Sequence, residues 1–189
     1  MAGTNEHAAD GVLEHGDDSV RFLNTGDREF VLSLQPMIPK GLYELPSTEA
    51  GFAAFLKAIT SRPWGVPMIC LHKGQPGGLA FLQLTQLKNL NAYLVALFKD
   101  PASAEGCLAI YLRHAFWGYP LHRVYTHVPV NGATSAHADL YRRTGFTSEG
   151  RLIGHMTNED GPVDIEVLGM LRHELDAWTE SRMPALSLR

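Results

Sequence analysis

The sequence predicts a single α+β domain, in which a mixed and mostly antiparallel sheet of about seven strands is flanked by four or five helices. Three observations lead to this prediction. Three apolar segments between residues 67 and 98 are separated only by turn residues, which is the spacing of an antiparallel meander. Two segments with helical apolar spacing then surround a further strand. Two final strand segments flank the turn Asn158-Glu159-Asp160-Gly161.

Each element is predicted from a local pattern. The predicted strands, rich in apolar and β-branched residues, are 19–24, 67–72, 79–87, 92–98, 122–130, 147–157 and 163–171. The predicted helices are 28–32, 47–62, 105–117, 135–143 and 172–180. Arg62-Pro63 ends the second helix, because the residue before a proline is disfavoured in helical geometry. Thr144-Gly145 ends the fourth, because glycine suits the left-handed cap position.

Residues 1–18 differ in composition from the rest of the chain. They contain five acidic residues, no Lys or Arg and few large apolar side chains, which is typical of a solvated segment. The sequence therefore predicts an acidic flexible tail over residues 1–18 and one domain over residues 19–189. At 189 residues and 45% hydrophobic content, the chain is long enough for one domain with a substantial core.

The composition also argues against several classes of function. The net charge of −4 is divided evenly between the two halves, so electrostatics do not indicate nucleic-acid binding. Cys70 and Cys107 lie in apolar segments, and none of the nine histidines is spaced as in a zinc motif, so we expect no metal site. No apolar run reaches the roughly 18 residues of a membrane span. With no signal-peptide pattern either, we expect a soluble, cytoplasmic protein.

Three segments in order carry a resemblance to a known family: "HAFWGYPLHRV" (114–124), "LYRRTGFTSEGRL" (140–152) and "DGPVDIEVLGMLRHE" (160–174). Together they resemble the GNAT acyltransferase superfamily over residues 19–178, most of all the N-acetyltransferases that act on ribosomal-protein N-termini, polyamines and antibiotics. The resemblance implies a three-layer α/β fold. It also implies an enzyme that transfers an acyl group, by default acetyl from acetyl-CoA, to a primary amine by direct attack within a ternary complex.

In that family the donor pyrophosphate lies on a loop written Arg/Gln-x-x-Gly-x-Gly/Ala, which corresponds here to "KDPASA" (99–104). The resemblance therefore implies donor contacts by Lys99, Ala102, Ser103 and Ala104. Alanine replaces the family's glycine at 102, and a left-handed conformation there would cost about 1–2 kcal/mol. The acidic side chain of Asp100 would in addition repel a pyrophosphate at the helix N-terminus. We expect a loop that is weakened for coenzyme A.

The resemblance also implies roles for residues around the acyl group. Tyr141 occupies the position of the family's general acid for the leaving thiolate, although a core aromatic side chain on a helix is the alternative interpretation. The oxyanion donor is a main-chain N–H in the region of Val95 to Leu97. Asn131 is a candidate donor contact, although Asn131-Gly132 can equally be a simple turn.

The acceptor side is less well defined by the sequence. An amine with a pKa of about 10.4 must lose a proton before it attacks. His127 lies on the opposite face of its strand from Thr126 and is the first candidate base. His155 and Glu44 are further candidates. Trp64 is a candidate for lining the acceptor pocket.

Two alternatives remain open. One is an enzyme of the same fold whose donor is an acyl carrier protein or an aminoacyl-tRNA, which the altered loop favours. The other is a non-catalytic binding module. The amine acceptor is undefined, and a homodimer is compatible with the resemblance.

Overall fold

The computed structural model describes residues 13–38, 45–61, 65–130, 135–158 and 161–184. Eight strands form one sheet in the order β1-β2-β3-β4-β5-β6-β8-β7. The strands are β1 Leu13–His15, β2 Asp18–Phe22, β3 Met68–His72, β4 Gln75–Gln86, β5 Asn91–Phe98, β6 Arg123–Pro129, β7 Thr147–Asn158 and β8 Gly161–Leu171. All neighbours pair antiparallel except β5 and β6, which are parallel. The mixed, mostly antiparallel sheet is therefore confirmed, with one strand more than predicted.

Five helices in the described ranges cover the two faces of the sheet. They are α1 Arg28–Leu32, α2 Glu49–Thr60, α3 Glu105–Gly118, α4 Ser135–Arg143 and α5 Arg172–Arg182. One apolar core joins the sheet to α3, α4 and α5, and a second joins it to α1 and α2. We call these sides the α3 face and the α1 face. The three layers predicted from the resemblance are present, and none of the described helices is long and apolar enough to cross a membrane.

The extra strand lies in the segment predicted as a tail. Leu13 to His15 pair with Asp18 to Val20 at the edge of the sheet. An edge strand leaves charged side chains in water, so an acid-rich composition is compatible with it. Asp18 is also held by its contact with His72, whose Nδ1 lies 2.8 Å from Oδ1. Ordered structure therefore begins before the predicted boundary at residue 19, while residues 1–12 lie outside the described ranges.

The end of α4 depends on a glycine with left-handed backbone geometry. Gly145 has φ +95, and its N–H donates to the carbonyl of Arg142 at 3.0 Å. The N–H of Phe146 donates to the carbonyl of Tyr141 at the same distance. A Cβ at position 145 would lie 2.9 Å from Cδ1 of Trp178. Gly145 thus sets the direction in which the chain leaves α4, as its cap position predicts.

Replacing Gly145 by alanine is expected to destabilise the protein by about 1–3 kcal/mol, because alanine disfavours this conformation and meets Trp178. Gly118→Ala is the control, since Gly118 lies at the end of α3 with open space where Cβ would be. The control should be neutral or more stable by about 0.4–1 kcal/mol. Urea unfolding measures both, and equal stability of the two variants would contradict the assigned cap.

Candidate active site

The two parallel strands separate part of the way along their length. Asn91 to Tyr93 of β5 pair with Arg123 to Tyr125 of β6, and these two strands do not pair with each other beyond those residues. Strand β5 nevertheless continues to Phe98, paired on its other side with β4. We call the space between residues 94–98 of β5 and 126–129 of β6 the gap. It interrupts the sheet and connects the α3 face with the α1 face.

Alternation along β5 decides which peptide groups face the gap. The N–H of Lys99 donates to Gly77, which directs the peptide groups of odd-numbered residues toward β4. The carbonyl of Ala96 and the N–H of Phe98 point the other way, toward the gap. The N–H groups of Val95 and Leu97 therefore face β4, and within the region of Val95 to Leu97 it is the N–H of Ala96 that faces the gap.

Two side chains of α4 meet these peptide groups from the α3 face. The hydroxyl of Tyr141 donates to the carbonyl of Ala96 at 3.3 Å. Nε2 of His137 accepts from the N–H of Phe98 at 3.5 Å, so the imidazole proton belongs on Nδ1. His137 and Tyr141 are four residues apart and share one side of the helix. Burial lowers the pKa of His137 and raises that of Tyr141, so both are neutral at pH 7.

Hydroxyl-bearing side chains lie at the gap from the α3 face to the α1 face. The side chain of Thr126 lowers the pKa of both Tyr141 and Tyr93, which places it near both hydroxyls. The backbone of His127, whose N–H faces the gap, also lowers the pKa of Tyr93. Burial raises the pKa of Tyr93, and these neighbours offset the rise only in part. Thr126 and the two tyrosines are therefore grouped at the gap.

An aromatic row lies on the α1 face beside the gap. The ring of His127 lies 5.2 Å from that of Tyr93, 5.8 Å from Tyr125 and 5.9 Å from His155, measured between centroids. Tyr93 and Tyr125 contact edge to face at 5.5 Å. Burial, followed by repulsion from His155 and Arg123, lowers the pKa of His127. The imidazole of His127 is therefore neutral at pH 7 and able to accept a proton.

An ion pair closes the end of this row. The guanidinium of Arg123 lies 4.5 Å from the ring centroid of Tyr125, and its Nε donates to Oε1 of Glu149 at 2.8 Å. Gly169 leaves room for this carboxylate, because a Cβ there would lie 2.0 Å from the same oxygen. Asp164 orders the neighbouring bulge of β7 by accepting from the N–H of Gly154 at 2.7 Å. The bulge places the ring of His155 next to His127 in the aromatic row.

The "KDPASA" loop is a right-handed turn with an internal cap. Pro101 to Ser103 form a single 3₁₀ turn, and Oδ1 of Asp100 accepts from the N–H of Ala102 at 3.0 Å. Ala102 does not have a positive φ, so the left-handed strain expected at this position is not found. The side chain of Asp100 thus accepts a hydrogen bond from an N–H that the resemblance assigns to binding of the pyrophosphate. The acidic cap at Asp100, rather than backbone strain at Ala102, thus distinguishes the loop.

The charged side chains around the loop are partly paired. Nζ of Lys99 lies 5.0 Å from the ring centroid of Phe30 in α1, on the α1 face. Nη2 of Arg143 donates to the carbonyl of Pro101 at 3.0 Å, and its Nε lies 3.3 Å from the carboxylate of Glu105. Arg143 is thus a cation from outside the loop that contacts it, whereas the ammonium of Lys99 lies over Phe30. A cavity of about 130 Å³ lies beside it, bordered by Phe98, Ser103 and Cys107 among others.

The predicted site residues are only partly brought together. Tyr141 and His127 lie at opposite faces of one gap, and Ser103 and Ala104 lie at the start of α3. Lys99 borders the cavity beside the loop, with its ammonium over Phe30. The candidates Asn131, Glu44 and Trp64 lie outside the described residues. Within those residues, no three His, Cys, Asp or Glu side chains are grouped as a metal ion would require.

Three further gap residues were not predicted as site residues. They are Tyr93, Thr126 and His137. A signal existed for two of them. Thr126 is polar between Val124 and Val128 on a buried strand face, and His137 precedes Tyr141 by one helical turn.

Changing His155 to Gln is expected to raise the pKa of His127, because a repelling positive charge is removed while the neighbouring rings remain. Two-dimensional ¹H–¹⁵N NMR of the imidazole nitrogens across pH measures this value. His114→Gln is the control, since burial alone lowers the pKa of His114 and its ring contacts Phe22. An unchanged His127 titration in the His155 variant would show that the two rings are not coupled.

Neither a scan against protein-family models nor a search of curated proteins finds a match. Solved structures do match. Mycobacterium smegmatis RimJ in complex with CoA-disulfide is 14% identical with a TM-score of 0.69, over 87% of this chain and 88% of that one. A chimera of the Vibrio cholerae spermidine N-acetyltransferase SpeG and hSSAT is 18% identical with a TM-score of 0.70, over 85% and 98%.

A third match is the ribosomal-protein-S5-alanine acetyltransferase from Vibrio fischeri. It is 15% identical with a TM-score of 0.67, over 85% of this chain and 96% of the other. All three matches span most of both chains. The chain therefore has the fold of the GNAT acetyltransferases.

Proposed function

We propose that the protein is an N-acyltransferase, which moves an acyl group from a pantetheine thioester to a primary amine by direct attack within a ternary complex. One observation carries the proposal. The gap between β5 and β6 presents peptide groups of Ala96 and Phe98 beside a buried, protonated Tyr141. The fold supports it, since the similar solved structures include acetyltransferases and one of them contains CoA-disulfide.

The gap suits an extended donor arm that carries amides. The carbonyl of Ala96 accepts and the N–H of Phe98 donates, so together they match an amide-bearing chain. Their present partners are side chains of α4, Tyr141 and His137, which an arm would replace without leaving a buried peptide group unpaired. This arrangement supports a pantetheine arm as the part of the donor that enters the sheet.

Tyr141 is suited to protonate the leaving group. Breaking the thioester C–S bond leaves a thiolate, and a nearby acid speeds that step. Because burial raises its pKa, the phenol is protonated at neutral pH and can donate to the sulfur as negative charge develops there. On the α1 face, His127 is neutral at pH 7 and is suited to accept a proton from the incoming amine. The acid and the base thus lie on opposite sides of the gap.

The diphosphate of coenzyme A fits the loop less well than the arm fits the gap. Asp100 accepts a hydrogen bond from the N–H of Ala102 and adds negative charge where a diphosphate would lie. Arg143 is the nearby cation, but it already pairs with Glu105. We propose acetyl-CoA as the default donor, held weakly at the loop. A carrier-protein thioester is the second candidate, favoured by the internal cap at Asp100.

Calorimetric titration with acetyl-CoA and with acetyl-pantetheine tests the donor. Asp100→Asn keeps the oxygen that caps Ala102 but removes the charge, so acetyl-CoA should bind about three- to tenfold more tightly in low salt. Acetyl-pantetheine, which lacks the diphosphate, should bind equally to both proteins. Ala102→Gly is the control and should change either affinity by less than about twofold, because Ala102 has no left-handed strain to relieve.

Each outcome of the titration has a distinct meaning. Binding of neither ligand by the natural protein would contradict the gap as a donor site. Binding of acetyl-pantetheine without acetyl-CoA would favour the carrier-protein donor. A gain with Ala102→Gly but not with Asp100→Asn would show that backbone geometry limits the loop.

Tyr141→Phe is expected to lower kcat by about 10²-fold, the lower range for loss of a general acid. KM should change little, because the ring and its edge-to-face contact with Phe146 are retained. Tyr111→Phe is a matched control, since its buried hydroxyl has no hydrogen-bond partner among the described residues. The control should keep full activity, and equal loss in both variants would remove Tyr141 from the mechanism. Steady-state kinetics with an amine panel provides the measurement.

A further inference from the structure

The four rings of the aromatic row come from three strands and leave part of their surface accessible. They are Tyr93 of β5, Tyr125 and His127 of β6, and His155 of β7. Successive ring centroids along the row are 5.5, 5.8 and 5.9 Å apart. The first three residues are partly exposed and His155 is exposed. The row therefore presents an aromatic surface to the α1 side of the gap, next to the candidate base.

Apolar side chains lie beside the rings on the same face. Val167 of β8 is the register partner of His127 and so shares its face. Val95 of β5, two residues beyond the last pair with β6, belongs to the apolar core of the α1 face. Asp164 and Glu166 alternate with Val167 along β8 and therefore lie on the opposite face. The neighbours of His127 on these strands are thus valines rather than carboxylates.

Every carboxylate on strands β5 to β8 is bound by an arginine. The pairs are Glu149 with Arg123, Asp164 with Arg151, and Glu166 with Arg142. The guanidinium of Arg123 also lies over the ring of Tyr125, so a positive charge already occupies one end of the row. A second ammonium group on an acceptor would be repelled there and would meet no unpaired carboxylate on these strands.

We propose that the acceptor is a primary monoamine that carries an aromatic group on a short apolar linker. The inference rests on the proposed function, because it names the acceptor of that reaction. The amine nitrogen approaches His127, and the aromatic group packs against the row. Aromatic pairs at such distances gain more than their apolar burial alone provides. Tyr125 contacts the substrate away from the reacting atoms and is thus a specificity-determining residue.

The surroundings also favour the reactive form of a monoamine. Only a neutral amine attacks a thioester, and an amine in water is mostly protonated at pH 7. Burial, followed by repulsion from His155 and Arg123, lowers the pKa of His127, and both act in the same direction on an amine beside it. A monoamine therefore loses its charge more readily here than in water. A polyamine would keep a second charge on a surface that does not solvate it.

Steady-state kinetics with the best donor and four amines tests the acceptor class. The amines are 2-phenylethylamine, 2-cyclohexylethylamine, 1,4-diaminobutane and spermidine. The kcat/KM for 2-phenylethylamine should exceed that for either polyamine by about 100-fold, because the second charge of a polyamine stays unpaired. It should exceed that for 2-cyclohexylethylamine by about three- to tenfold, because these two amines share one skeleton and differ only in the aromaticity of the ring.

Tyr125→Leu removes one ring of the row and retains an apolar side chain. The advantage of 2-phenylethylamine over 2-cyclohexylethylamine should fall to within about twofold, mainly through KM. Phe22→Leu is the control, because Phe22 is an exposed ring on β2 that contacts His114 edge to face, three strands away from β5. This control should keep the full advantage. An unchanged advantage in Tyr125→Leu would overturn the assignment of the row.

Two-dimensional ¹H–¹⁵N NMR of the imidazoles, without donor, measures amine binding separately from turnover. Adding 2-phenylethylamine should shift the signals of His127 and His155 and leave that of His114 unchanged. Turnover of a polyamine as fast as that of 2-phenylethylamine would overturn the aromatic acceptor and leave the proposed function intact. Absence of turnover with every amine and donor, with the shifts present, would overturn the proposed function alone. Absence of both turnover and shifts would overturn both.

Discussion

The separation of β5 from β6 beyond Tyr93 and Tyr125 is the constraint on which the site depends. Buried peptide groups that lose their ladder partners must find others, since leaving them unpaired costs about 1–3 kcal/mol each. Here the partners are side chains. Tyr141 donates to the carbonyl of Ala96, and His137 accepts from the N–H of Phe98. The need to satisfy a broken ladder thus concentrates polar side chains at one point of the core.

The same burial determines the chemistry available at that point. Desolvation disfavours charged forms, so it raises the pKa values of the tyrosines and lowers those of His127 and His137. All four groups are therefore neutral at pH 7. An acid that keeps its proton and a base that lacks one are both needed when a neutral amine replaces a thiolate. Burial therefore explains both why the unpaired peptide groups need side-chain partners and why those side chains are neutral.

Local patterns predicted the elements that carry the site, and tertiary structure decided how those elements use their groups. Helix α4 and the cap at Gly145 depend on nearby residues and were predicted. The direction of the Val95 and Leu97 peptide groups depends on the register with β4, which no local pattern contains. The absence of strain at Ala102 depends on the cap from Asp100, which requires the folded turn. The grouping of Tyr93, Thr126 and Tyr141 requires two strands and a helix to come together, which no local pattern contains.

Gap and loop contribute differently to the choice of donor. In the proposed function, the peptide groups of Ala96 and Phe98 bind the arm that all pantetheine thioesters share, so the gap does not distinguish coenzyme A from a carrier-protein arm. Only the loop meets the part that differs. Asp100 stabilises the empty turn by capping Ala102, and by the same charge it opposes a diphosphate. In the proposed function, an acid that caps its own loop therefore stabilises the turn and weakens the binding of coenzyme A, whereas a donor without the diphosphate is not opposed by that charge.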